Sequence, residues 1–214
     1  MHHQRQETLE SEFTSKMNLT EDEIASRLHT AQTTTSTDGY AQSGAPAHKC
    51  AAVLVPLLLQ DGEWRLLYTR RTDLVESHKG QVSFPGGACN DGETTPEQTA
   101  LREAEEEIGI RPDNVRLLGR LNPMDTISFY RVTPVVGVIP WPAVFRPAQA
   151  EVARIFTMPL AWLADRSNRW EFNLPGRDHS VIVYHPFDGE ILWGATARMT
   201  VDFLEILTPN QKRE

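Results

Sequence analysis

One segment constrains this chain more than any other: GGACNDGETTPEQTALREAEEEIGI, Gly86 to Ile110. It follows a short strand-like run, Gln81 to Phe84, that stops at Pro85-Gly86-Gly87. A loop, Ala88 to Gly92, leads into a helix expected from about Pro96 to Ile108, with Gly109 as its C-terminal stop. With Glu103 set at zero and about 100° per residue, Glu106 falls near 300° and Glu107 near 40°, so the three share a face. Glu105 points the opposite way. Ala100, Leu101, Ala104 and Ile108 fill the sector between, an apolar stripe that must pack on a sheet. One face therefore buries, and its flank carries three carboxylates.

Like charges three and four residues apart cost a helix a few tenths of a kcal/mol per pair. The plain reading of such a run is a solvated acidic face. Two features argue for a site instead. The carboxylates abut a glycine-rich turn, where backbone can approach a ligand closely, and Arg102 precedes them, placed to orient one carboxylate. Oxygen-rich clusters of this kind suit hard divalent cations, Mg²⁺ or Mn²⁺, held partly through water and substrate phosphates.

Around this segment the elements interleave. Ala51 to Leu59 and Trp64 to Tyr68 are β-like runs joined by the hairpin signal Gln60-Asp61-Gly62-Glu63. Val115 to Leu121, Tyr130 to Ile139, Trp170 to Asn173 and Ser180 to Tyr184 are further strands. A short helix lies around Ala161, and a closing helix spans Ala195 to Leu207. This order implies an α/β or α+β class. Residues 1–47 differ: one helix, Leu19 to Gln32, capped by Thr20, then a linker rich in Thr, Ser, Gly and Ala. They are expected to form an arm, disordered over its first fifteen residues, that packs on the core or on a second subunit; a homodimer is one arrangement it would serve. The main domain is expected over 48–214.

Composition excludes several classes. A formal net charge of −8, with no basic stripe, argues against a nucleic-acid partner. A small anionic substrate remains compatible, because a bound divalent cation reverses the local field. The longest apolar stretch, Ala51 to Leu59, contains Pro56 and is too short to span a membrane. The opening residues lack the apolar core of a signal peptide. With two cysteines, Cys50 and Cys89, the expectation is a cytoplasmic protein with reduced thiols.

The pattern Gly87, Glu93, Arg102, Glu103, Ala104, Glu106, Glu107, Gly109 and Ile110 resembles the box of the Nudix hydrolases. Eight residues separate Glu93 from Arg102, where the family pattern has seven, leaving the role of Glu93 open. The resemblance implies a mixed sheet sandwiched between helices and metal-dependent hydrolysis of a nucleoside diphosphate derivative. It further implies Glu103 and Glu107 as principal metal ligands, Glu106 as a third ligand or the base that activates water, a carbonyl from the Gly87 region, and Arg102 orienting a glutamate.

Upstream, LLYTRRTDLVESHKGQVSFPGG is similar to the segment marking the coenzyme A diphosphatase branch, through Leu67, Thr69, Arg71, Gly80, Phe84, Pro85, Gly86 and Gly87. Thr72 stands where that segment has Ser or Ala, and Glu76 where it has a second arginine. The resemblance implies substrate contacts from Arg71, Arg70, His78 and Phe84; solvated strand ends are the plain reading for the two arginines, and simple exposure for His78. Glu151, in a loop before a strand, is weighed as an extra base. Trp141, Trp162, Trp170 and Trp193 are expected in the core rather than as platforms for adenine. The competing readings are an ADP-ribose or NADH diphosphatase and, in a different class, a non-catalytic Nudix-like binding module.

Overall fold

The computed structural model describes residues 19–34, 48–73, 79–173 and 180–208. The first fifteen residues, most of the linker, Glu76 and His78 lie outside this set. The elements run α1 (Glu21–Thr34), β1 (Lys49–Gln60), β2 (Glu63–Arg71), β3 (Val82–Ser83), β4 (Gly86–Ala88), α2 (Pro96–Ile108), β5 (Arg116–Arg120) and β6 (Met124–Asp125). They continue with β7 (Tyr130–Val138), β8 (Val152–Pro159), α3 (Leu160–Ala164), β9 (Arg169–Phe172), β10 (Val181–Tyr184) and α4 (Gly194–Leu207).

A mixed sheet organises the molecule. Its path is β3-β2-β1-β7-β5, with β8 on β2, β4 on β1 and β6 on β7; β1 and β7 are parallel, and the other pairs antiparallel. The sheet is covered on both faces, as the family likeness implies. On one face α2 buries Ala100, Ala104 and Ile108 against Ala52, Leu54, Leu67 and Val135. On the other, α1, α3 and α4 pack on Val55, Leu66, Tyr68 and Val136. Strand alternation sets the partition, since neighbouring residues of β2 point to opposite faces.

The helix α1 belongs to this core. Thr20 and Glu23 make the reciprocal capping contacts of an N-terminus. Ile24 and Leu28 are fully buried, and the Trp64 indole donates to the Leu19 carbonyl at 2.7 Å. The thin apolar stripe is therefore enough, because it meets an already formed apolar surface.

Three expectations need correction. Gly86–Ala88 is a strand, not only a turn: it pairs with Ala51 to Val53 of β1. That register puts Cys50 beside Cys89, and the two form a disulfide in place of free thiols; their adjacency follows from strand pairing that spacing alone does not disclose. Trp141, Trp170 and Trp193 are about half exposed rather than core, whereas Trp162 packs on Tyr184 and Phe187. Among the described residues, no helix is long and apolar enough to cross a membrane.

Candidate metal and hydrolytic site

The site forms where β1 changes partners. Its first half pairs with β4 and its second with β2, so the two strands diverge and α2 lies over the fork. The helix is fixed at both ends. Thr95 and Gln98 form a capping box, Pro96 occupies the first turn, and Gly109 closes the helix with φ of 73°. Thus Glu103, Glu106 and Glu107 are carried on a rigid element.

Glu107 goes deepest, with 4% of its surface exposed. Its carboxylate accepts from the Gly86 N–H, and the Arg71 guanidinium stands 3.7 Å from one oxygen. Burial nonetheless dominates and, with the fields of Glu103 and Glu151, pushes its pKa up to about 8. Glu103, largely buried, is also raised, first by burial, although Arg102 opposes the shift. Its carboxylate occupies the space a side chain at Gly87 would fill: a Cβ there would lie 2.6 Å from the Glu103 Cδ. This close approach is a physical reason for glycine at 87.

Arg102 ties the cluster together. Its Nε donates to Glu93 at 2.7 Å, Nη1 contacts Glu103 at 2.8 Å and Glu106 at 2.9 Å, and Nη2 donates to the Ala88 carbonyl at 3.0 Å. Glu93 also accepts from the Asn90 N–H and the Thr99 hydroxyl. The Arg102 hydrogen bond is the main reason its pKa falls to about 2. Despite the longer spacer, Glu93, two residues before the Thr95 cap, still reaches Arg102.

The loop before β8 closes the other side. Ala148 N–H donates to the Glu107 carbonyl, Glu151 N–H to Ala148, and Thr72 N–H to Glu151. The Thr72 hydroxyl donates to the Ala150 carbonyl at 2.9 Å, so this departure from the branch segment helps hold the loop. Glu151 sits within electrostatic reach of both Glu103 and Glu107.

Two expected substrate residues are placed elsewhere. Arg70 is adjacent to Arg71 in the chain but faces the other side of the sheet, 3.7 Å from Glu190. Phe84 is 2% exposed and stacks on Tyr68 at 4.8 Å, so its ring seats the strand rather than meeting solvent. His78 lies outside the described residues. Glu105 is exposed, as the wheel requires. The Gly86 N–H carries no side-chain signature a sequence could show, and the Ala88 carbonyl, next to the Gly87 expected to contribute one, accepts from Arg102.

In this conformation no three acidic, histidine or cysteine side chains among the described residues converge tightly enough to enclose an ion. Arg102 draws Glu103 and Glu106, while Glu107 turns toward Arg71 and Gly86. The donor set still fits a hard divalent cation. Glu107 Oε2 is buried without a hydrogen-bond partner among the described residues. A buried oxygen left without a partner costs free energy, and a cation there would supply the missing partner. Glu103 and Glu107 would hold it, with Glu106 and Glu151 the further carboxylates whose fields reach them.

A NUDIX domain model matches residues 48–174. The uncharacterized Nudix hydrolase NudL of Escherichia coli K12 is 40% identical over 146 residues, covering 68% of this chain and 71% of its own. NudL of Pectobacterium atrosepticum is 40% identical over 155 residues, 71% of this chain and 80% of its own. Among solved structures, a MutT/nudix family protein from Enterococcus faecalis superposes with a TM-score of 0.50 at 14% identity, over 83% of this chain and 66% of that one; this likeness concerns the fold.

Proposed function

The chain belongs to the Nudix family, hydrolases of phosphoric anhydrides, and from that premise we propose that it splits coenzyme A or acyl-CoA into 3′,5′-ADP and (acyl-)4′-phosphopantetheine, using Mg²⁺ or Mn²⁺. One observation carries the reading: Arg71, from the segment similar to the coenzyme A branch, stands 3.7 Å from Glu107 of the hydrolytic helix. The branch-like segment thus brings a guanidinium to the carboxylates, where a cation would meet a diphosphate.

In this reading Glu103 and Glu107 would hold the metal, and Glu106 would be a third ligand or take the proton from the attacking water. Arg102 keeps Glu103 and Glu106 in place through its own anchor on Glu93. Arg71 neutralises charge on the diphosphate. The bound cation supplies further charge neutralisation and acidifies water near neutral pH. Water attacks one phosphorus, the anhydride P–O bond breaks, and the leaving phosphate departs with the bridging oxygen. The substrate is a small nucleotide-type molecule, with no part for nucleic acid or membrane.

Glu76, where the branch segment has arginine, favours a second reading. ADP-ribose and NADH have no 3′-phosphate to be recognised by that arginine. Purified protein with Mg²⁺ or Mn²⁺ should convert coenzyme A to 3′,5′-ADP and 4′-phosphopantetheine, identified by mass. Brisk cleavage of ADP-ribose or NADH, with coenzyme A and acyl-CoA intact, overturns the coenzyme A reading. Binding of these ligands without cleavage of any, in the presence of metal, would leave a binding module.

A further inference from the structure

The small sheet β9–β10 turns a wholly apolar face outward, where a half-solvated antiparallel pair ordinarily carries polar residues. Ile182 and Tyr184 point inward and are buried. On the outer face Trp170 pairs with Val183, and Val183 bridges to Trp193, giving one row from β9 through β10 to an isolated bridge. Phe172 pairs with Val181 beside it, and His185 stacks on Trp170 at 4.1 Å. Trp170, Phe172, Trp193 and the nearby Ile191 are each about half exposed.

We propose that this face is where a second copy of the chain docks, making a two-fold dimer. Half-exposed Trp, Phe and Ile side chains amount together to roughly 400 Å² of apolar surface, since a large aromatic buries about 150–250 Å² in full. A stable interface takes about 800 Å² per partner, a little over half of it apolar. The patch supplies most of that share.

Charge points to a copy as well. The chain as a whole carries −8 and repels itself. On the Ile191 side of this face, however, the charges are already matched: Arg154 pairs with Asp188 and Glu190, and Arg70 also reaches Glu190, so two cations meet two carboxylates. Two such neutral rims meet without repulsion. Among the described residues β9 pairs only with β10, so its outer edge is free to lie antiparallel to β9 of the copy, an isologous contact.

Analytical ultracentrifugation of the full chain, with hydrogen exchange read at the β9 amides, tests this. The expected result is a dimer at about 100 µM or below, a concentration that interfaces of this size reach. Trp170→Glu should shift it to monomer. So should Phe172→Lys, which guards against a folding defect in the first variant. Both variants should keep hydrolysis per chain and the far-UV spectrum. A dimer unmoved by either substitution overturns the proposal. A monomer with protected β9 amides overturns it in favour of a segment of the same chain, such as residues 1–18. A monomer with unprotected amides overturns it in favour of a different protein.

Discussion

The Arg102 Nε donates to Glu93 across 2.7 Å although eight residues lie between them, one more than the family pattern allows. The helix cap at Thr95 leaves Glu93 in the loop just before α2, and the pair survives the longer spacer. Glu93 then acts on Glu103 and Glu106 only through Arg102. Its folded pKa, about 2, lies below the ordinary value of 4.5, so in acid the unfolded chain binds more protons there. Its contribution to stability is complete above the ordinary value, falls as pH drops, and is gone below the folded one. In chelator, wild-type protein should lose unfolding free energy between about pH 4.5 and 2 more steeply than Glu93→Gln, as measured by urea titration. Parallel curves would count against the pairing.

Hydrolysis should require a divalent cation and depend unequally on the three adjacent glutamates. Glu106→Gln and Glu107→Gln should each lower turnover about a hundredfold or more, the scale of losing a ligand or base. Glu105→Gln should stay within about threefold, since its side chain leaves the opposite side of the helix. Steady-state rates, with circular dichroism as the folding control, decide it. Full activity in excess chelator would remove the metal.

Gly86 and Gly87 should separate stability from activity. A Cβ at Gly86 would lie 2.6 Å from the Ala52 carbonyl oxygen and the Val53 Cα, which cannot yield because both are β1 backbone. Gly86→Ala should therefore cost about 1–3 kcal/mol of stability, as overpacking does. At Gly87 the obstacle is the Glu103 carboxylate, a side chain that can swing away. Gly87→Ala should keep most of its stability yet lose turnover at least about tenfold, because a displaced catalytic group is costly. Chemical denaturation and kcat on the same two variants check the contrast.

The Cys50–Cys89 bond closes a loop of sequence separation 39 and holds β4 on β1 next to Ala88. Chain entropy for a loop of that length corresponds to about 4 kcal/mol, an upper figure for most proteins. The double variant Cys50→Ser with Cys89→Ser should be less stable than oxidised wild type by about 2–4 kcal/mol in urea. With excess dithiothreitol the difference should vanish. A difference that persists under reduction would assign the effect to packing of the sulfur atoms.

Legible in the residues alone is everything that repeats with a local period or needs a special backbone. The α2 register, the three-carboxylate face, the Gly109 stop and the strands from Tyr130 and Val181 were legible because helix and strand periods place side chains without reference to the rest of the chain. Tertiary structure decided what depends on which strands become neighbours. Cys50 meets Cys89 because β4 lies on β1, and Glu107 meets Arg71 because β2 ends under α2. Arg70 parts from Arg71 because adjacent strand residues face opposite sides of the sheet, a matter settled only when each side has its own helices. The outward tryptophans were misjudged for the same reason. Apolar character favours burial, but whether a residue is buried depends on what packs against its face, and β9–β10 stands at the margin of the core.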